Sequence, residues 1–277
     1  MATVRELLGS AASLSGDSAR RDAEVLLCHC LSKPRSWLYA WPEAEVDAAG
    51  AQSYATLLAQ RADGVPVAYL TGQRDFWSLQ LCVNEHTLIP RPETETLVEW
   101  ALELPVPVDA LVADLGTGSG AIALALASER PTWQVTAVDS SAAALEVARA
   151  NAQSTDLARV YFQQSDWFQA LSGCQYHLLL SNPPYVDDLD PHLQRGDVRF
   201  EPRSALVAGD DGLADLARLV AGAPQHLLSD GWLLLEHGFE QGAAVRRLLL
   251  EAGFDSVGTR VDLAGLERIT GGCWRVN

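Results

Sequence analysis

Hydrophobic positions along the chain change their period twice. From Val4 to about Leu70 they recur at helical spacing: Val4, Leu7, Leu8 and Ala11, then Ala23, Leu26, Leu27 and Leu31, then Tyr54, Leu57 and Leu58. Asp17 or Ser18 is placed to cap the second helix, which stops before Pro34. Ser36 opens a short helix through Trp37, Leu38 and Trp41, and Asp47 caps the next, with Gly64 beyond its end. Residues 65–70 give one more turn. The pattern then shortens: Phe76, Trp77, Leu79, Leu81 and Val83 predict a β-hairpin turning near Ser78. Ile89-Pro90-Arg91-Pro92-Glu93 forms a stiff connector, because each proline fixes its φ. A helix over 93–104 follows and ends at Pro105.

From Asp109 onward, strands and helices alternate. Strands are predicted over 111–115, 134–138, 160–163, 176–180, 232–236, 256–261 and 268–276, and helices over 121–128, 142–153, 213–228 and 241–252. This alternation predicts an α/β fold with a mostly parallel sheet covered on both faces. The expected domains are a helical one over 1–72, a hairpin and linker over 73–92, and an α/β domain over 93–277. The longest irregular stretch, 187–204, follows the fourth strand, where long loops are often functional.

Composition and charge narrow the function. A chain of 277 residues with 48% hydrophobic and 20% charged positions can bury a substantial core. Its net charge of −16 disfavours a large phosphate-backbone footprint, and Arg20-Arg21 and Arg246-Arg247 read as solvated helix faces. The five cysteines include no C-x-x-C pair. Cys28-His29-Cys30 falls on a helix, where positions i and i+2 point apart, so no metal site is expected. Unpaired thiols suit a reducing cytoplasm. Arg5 and Glu6 leave no signal-peptide core near the start, and no apolar run approaches the ~18–20 residues of a membrane span.

Four motifs fall at ends of predicted strands. Asp114-Leu115-Gly116-Thr117-Gly118-Ser119-Gly120 ends one strand and opens a helix. Alternate glycines permit a sharp turn and close ligand approach, although such a turn also serves purely structural ends. Asp139 ends the next strand, near the spacing of about 20 residues at which a ribose-binding acid follows a glycine loop. Taken alone it would be a helix cap. Ser165-Asp166-Trp167-Phe168 offers an acid beside an aromatic, suited to a purine, or equally a capped helix start. Ser181-Asn182-Pro183-Pro184-Tyr185-Val186 ends the fourth strand abruptly, because two prolines fix φ and remove two donors. The result is a rigid platform with an amide, bare carbonyls and a ring, suited to a planar amine or amide nitrogen.

Glycine loop, acid and Asn-Pro-Pro-Tyr in this order resemble class I (Rossmann-like) S-adenosylmethionine-dependent methyltransferases that modify planar nitrogen. More narrowly, the chain resembles the HemK/PrmC family of release factor glutamine N5-methyltransferases. The resemblance runs through PVAYLTGQR (66–74), LIPRPETE (88–95), DLGTGSGAIALA (114–125), SDWF (165–168), SNPPYV (181–186), GDVRFEP (196–202), LLEHG (234–238) and ERITGGCW (267–274). It implies a seven-stranded sheet, a helical substrate-recognition domain and a cytoplasmic monomer acting on class 1 release factors. The implied reaction methylates the glutamine of a Gly-Gly-Gln motif and leaves S-adenosylhomocysteine, with no metal and no direct nucleic-acid contact. Gly116, Thr117, Gly118, Ser119 and Gly120 would carry the methionine part of the cofactor, Asp139 the ribose, and Asp166 and Trp167 the adenine, with Asn182 reaching the same site. Asn182 and Pro183 would accept the two amide hydrogens of the substrate, Pro184 would keep them rigid, and Tyr185 would pack on the amide. The alternative is an adenine-N6 methyltransferase acting on DNA or RNA, since the same platform can hold a flipped base.

Overall fold

A computed structural model describes residues 2–14, 16 and 18–275. By its contacts the chain divides into two units: Met1–Gln73 with Gln194–Phe200, and Arg74–Leu193 with Glu201–Asn277.

The first unit contains β1 (Ala2–Thr3), α1 (Val4–Gly9), α2 (Ala19–Leu31), α3 (Arg35–Ala40), β2 (Glu45–Val46), α4 (Ala48–Ala62) and α5 (Val67–Thr71). Its core holds Val4, Ala23, Leu26, Leu27, Leu38, Tyr54 and Leu58, all at helical spacing, together with Val46 of β2. Asp47 caps α4 by accepting from the Gly50 N–H at 2.7 Å. Ser18 precedes α2 but does not cap it; its hydroxyl donates to Asp22 instead, at 3.1 Å. Asp17, the other expected cap, and the end of the last expected strand lie outside the described residues. The antiparallel pair of β1 and β2 was not legible, because two residues carry no alternation. Gln194–Phe200, from the long irregular stretch, packs with this unit, where Asp197 accepts from Arg61 at 2.8 Å and Arg199 donates to the Asp63 carbonyl at 2.6 Å.

The second unit begins with a hairpin, β3 (Gln73–Phe76) and β4 (Leu79–Cys82), followed by α6 (Glu95–Glu103). Then come β5 (Leu111–Leu115), α7 (Ala121–Glu129), β6 (Gln134–Asp139), α8 (Ala142–Ser154), β7 (Tyr161–Gln164) and β8 (Tyr176–Ser181). After the irregular stretch come a short turn α9 (Gly209–Gly212), α10 (Ala214–Gly222), β9 (Leu227–Glu236), α11 (Gly242–Glu251), β10 (Asp255–Val261) and β11 (Glu267–Trp274).

Seven strands form one sheet in the order β10-β11-β9-β8-β5-β6-β7. Pairings from β9 through β7 are parallel, and β11 runs antiparallel to both neighbours. Alternate residues of single strands enter different cores. Val112, Leu178, Leu180 and Leu234 pack with α6 and α7, whereas Ala113, Leu115, Leu179, Leu233 and Leu235 pack with α10 and α11. A sheet buried on both faces explains why its strands read as continuous apolar runs. The chain order reverses between β5 and β8, and the carboxyl ends of strands at such a switch point bound a crevice.

One expected helix is too long. In place of 213–228, α10 stops at Gly222, a turn over Ala223–His226 contains Pro224, and β9 already begins at Leu227. Proline supplies no helical donor. The polar Leu228-Ser229-Asp230-Gly231 stretch hid the early strand, which joins β8 through a register shift. No helix among the described residues is long and apolar enough to cross a membrane.

Candidate active site

The crevice at the switch point is a cavity of 280 Å³, near the lower end of ligand-site volumes, which run roughly from 300 to 1,000 Å³. Its lining includes Gly116–Ser119, Asp139, Asp166, Trp167, Asn182 and Pro184, together with Pro90, Arg91 and Thr94 from the connector.

The glycine loop leaves β5 and is shaped by backbone conformation. Gly116, Gly118 and Gly120 have φ of +78°, +54° and +86°, a region costly for residues with a Cβ. A Cβ on Gly116 would meet the Trp167 ring at 3.2 Å. The loop is tied to the sheet by Gly116 and Thr117 N–H donating to the Val138 carbonyl, at 2.8 and 2.9 Å. Asp114 fastens it from below: its Oδ2 accepts from Thr117 Oγ1 at 2.6 Å and from the Ala123 N–H at 3.3 Å. Asp114 is fully buried, and its Oδ1 has no hydrogen-bond partner. Burial pushes its pKa up to about 7, with nearby Asp139 adding to the rise against those two hydrogen bonds.

Asp139 sits at the carboxyl end of β6, and each of its oxygens accepts one backbone N–H: Gly118 at 2.9 Å and Ser141 at 2.9 Å. The carboxylate thereby sets the loop's position, while the remaining lone pairs can still accept from a ligand. Burial raises its pKa against those bonds.

Asp166 and Trp167 are placed less simply than expected. Asp166 borders the cavity, but Arg218 holds its carboxylate bidentately, both bonds at 2.8 Å, and Gln169 donates to it at 3.0 Å. Trp167 has a φ of +50°, its ring lies over Gly116, and its Nε1 donates to Asp215 at 3.2 Å. Ser165 accepts the Ala170 N–H at 3.0 Å and donates to the Trp167 carbonyl, which locks this unusual backbone.

The Asn-Pro-Pro-Tyr platform divides by exposure. Asn182 and Pro184 line the cavity; Pro183 is buried, and Tyr185 is not among the lining residues. The Tyr185 ring packs against the core under α10 and α11, and its hydroxyl donates to Glu236 at 3.4 Å. Tyr185 thereby ties the platform to the end of β9. Its carbonyl accepts from Gln241 Nε2 at 3.1 Å, and Gly212, with φ +82°, passes so close that a Cβ there would lie 2.2 Å from that oxygen. Asn182 Nδ2 donates to Thr94 Oγ1 at 3.3 Å.

Sequence reasoning gave no role to Thr94, Glu236, Arg218 or Asn151. Glu236 ends β9, is fully buried, and has its pKa pushed up to about 7 by that burial. Arg91 on the cavity wall donates to buried Glu201 at 2.5 Å. Buried Asn151 binds three backbone groups: the Cys82 N–H at 2.7 Å, the Cys82 carbonyl at 3.0 Å and the Ser119 carbonyl at 2.9 Å. It thus pins the hairpin and the glycine loop to α8. Only the short stretches around Thr94 and Glu236 carried a signal, and they lie far apart in the chain.

This strand order, with a glycine loop and an acid at adjacent strand ends beside an Asn-Pro-Pro platform, defines a class I methyltransferase. Residues 5–72 match the PrmC N-terminal domain, and residues 94–197 match the methyltransferase small domain. The release factor glutamine methyltransferase of Pseudomonas aeruginosa is 53% identical over 274 residues, covering 99% of both chains. That of Escherichia coli is 49% identical over 256 residues, covering 92% of each. A methyltransferase from Pyrococcus furiosus has the same fold, with a TM-score of 0.56 at 15% identity over 80% of this chain and 100% of that one. The chain belongs to the release factor glutamine methyltransferase family.

Proposed function

We propose that the chain methylates the side-chain amide nitrogen of the glutamine in the Gly-Gly-Gln motif of class 1 release factors, in the cytoplasm, with S-adenosylmethionine as donor. The observation that carries this reading is Asn182, half-buried on the cavity wall at the switch point, with its NH2 end donating to Thr94. The residues present fit the cofactor. Three glycines at positive φ open the backbone to close approach, and Asp139 on the cavity wall favours a cationic ligand. When bound, the cofactor supplies an electrophilic methyl group on a positively charged sulfur.

An amide nitrogen is a weak nucleophile because its lone pair is delocalised into the carbonyl. Orientation and polarisation are what the protein can contribute. Asn182 Oδ1 and the Pro183 carbonyl each accept one hydrogen of the substrate NH2, which fixes the amide plane. As positive charge develops on nitrogen, both acceptors stabilise it, and the proton leaves afterwards to water. Prolines 183 and 184, with the clamp on the Tyr185 carbonyl, hold the acceptors in place. Gly116–Gly120 cradle the methionine part, and Asp139 takes the ribose hydroxyls. At the adenine end we assign the Trp167 ring and the Asp166–Arg218 pair. The helical residues 1–72 bind the release factor, and the enzyme acts as a monomer.

Mass spectrometry of a purified release factor after incubation with enzyme and labelled cofactor tests the reading. The expected result is one added methyl group, mapped to the Gly-Gly-Gln glutamine. Label found in DNA or RNA and absent from the release factor would overturn it.

A further inference from the structure

Trp167 is held in a conformation that a bulky residue avoids. Its φ of +50° lies in the left-handed region, where a side chain with a Cβ is strained. Such strain persists only where the surroundings over-determine it, and it gathers at functional sites. Ser165 donates to the Trp167 carbonyl at 2.7 Å and accepts the Ala170 N–H at 3.0 Å, which fixes the backbone of the turn. Neither bond sets the side-chain torsions of Trp167, so the direction of the indole ring is decided elsewhere.

Helix α10 decides it. Asp215, Arg218 and Gly222 stand at positions i, i+3 and i+7, which form one stripe of a helix. Each meets one residue of the Asp166-Trp167-Phe168 run. Asp215 Oδ1 accepts the Trp167 indole N–H at 3.2 Å. Arg218 grips Asp166 with two bonds of 2.8 Å. Gly222 lies so near the Phe168 ring that a Cβ there would come within 2.6 Å of it. At the edge of the indole away from its nitrogen, the ring faces Gly116, where a Cβ would lie 3.2 Å from it. The indole is thus held at one end by α10 and at the other by the glycine loop. Both Trp167 and Asp215 line the cavity.

We infer that Asp215 is a positioning residue that fixes the Trp167 ring as a wall of the cofactor cavity, an inference resting on the assignment of Trp167 to the cofactor proposed above. Asp215 is not required to touch the cofactor. It acts through the indole N–H, a donor with a single hydrogen to give. A ring already in place loses no rotamer freedom when the cofactor arrives, and that saving appears in affinity. The Asn182 platform does not depend on this contact, so turnover at saturating cofactor is affected less than binding.

A double-mutant cycle tests the role. Calorimetry reads S-adenosylhomocysteine affinity, and kinetics with a purified release factor read kcat and the KM for S-adenosylmethionine. Asp215→Ala is expected to weaken S-adenosylhomocysteine about tenfold and to raise the KM by a similar factor, while kcat falls less than about threefold. Trp167→Phe, which keeps a ring but no N–H, should itself weaken binding about fivefold or more. On that background Asp215→Ala should add less than about twofold. An acid in the first turn of α10 also stabilises the helix, but that effect does not pass through Trp167 and would persist in the Trp167→Phe background. Equal losses on the two backgrounds therefore overturn the positioning role. So does parental affinity in Asp215→Ala beside a Trp167→Ala enzyme that binds weakly, and Trp167 then stays with the cofactor. Parental affinity in Trp167→Ala overturns the assignment of the ring itself. If Asp215→Ala fails to fold, Trp167→Phe decides: parental affinity there, beside a weakly binding Trp167→Ala, shows that the N–H sets nothing and overturns the role of Asp215.

Discussion

Two halves of one cavity are built by different means. On one side, the glycine loop and Asp139 are fashioned from backbone. Three positive-φ glycines, N–H groups from Gly118 and Ser141, and a buried Asp114 lie within two adjacent strand–loop–helix turns. On the other side, the Asn182 platform depends on side chains from three segments: Thr94 before α6, Asn182 and Tyr185 after β8, and Glu236 at the end of β9. The first side needs local conformations that few residues other than glycine adopt, so its pattern is concentrated in the sequence. The second needs hydrogen-bond partners at exact distances, and those partners are scattered. A binding surface for a flexible cofactor can be made from backbone turns. Orienting one amide hydrogen by hydrogen requires a network fixed by the whole sheet.

Substitutions can break this contrast. The largest effect is expected for Asn182→Ala: turnover falls by at least ~10²-fold, as for loss of one key polar contact, while S-adenosylhomocysteine affinity stays within about threefold. Single-turnover kinetics and calorimetry read the two quantities. A parallel loss of both would merge the two halves into one functional unit.

Asp139→Ala should have the opposite signature. Loss of charge-assisted hydrogen bonds lowers S-adenosylhomocysteine affinity by about 10–100-fold, and turnover at saturating cofactor recovers most of its value. Unchanged affinity by calorimetry would remove Asp139 from the cofactor side.

A smaller effect is expected at the joint beneath the glycine loop. Asn151→Ala leaves the Cys82 and Ser119 backbone groups unpaired and should cost about 1–3 kcal/mol in denaturant unfolding. An unchanged unfolding midpoint would show that the hairpin and loop hold themselves.

The smallest is a slope. Glu236 and Asp114 have folded pKa values raised to about 7 from ordinary values of 4.5 and 3.8. Between those limits the folded state binds more protons than the unfolded one, so their contribution to stability is full at low pH and is lost as pH rises toward 7. Glu236→Gln should flatten the decline of unfolding free energy between about pH 5 and 7.

Much of the architecture was legible. Continuous apolar runs at 111–115 and 176–180, separated by helical periods, marked strands buried on both faces, and the observed strands follow them closely. Where local signals were weak, the reading slipped. Pro224 and the polar approach to β9 made a helix seem longer than α10 is. That the Tyr185 hydroxyl reaches Glu236 was not legible, because Glu236 lies at the end of a different strand. The pairing of Asp166 with Arg218 was not legible either, because Arg218 comes from a different helix, α10.

The sequence by itself determined the order of strands and helices, the glycine loop, the acid at the end of β6 and the Asn-Pro-Pro turn. Each of these follows from period, φ restriction or missing donors, all of which act over a few residues. Only the tertiary structure decided which acid is shared with an arginine, which carboxyl receives the Tyr185 hydroxyl, and which hydroxyl stands behind Asn182. Those outcomes depend on distances of about 3 Å between groups brought together by sheet pairing, and hydrogen bonds lose their strength quickly beyond that distance.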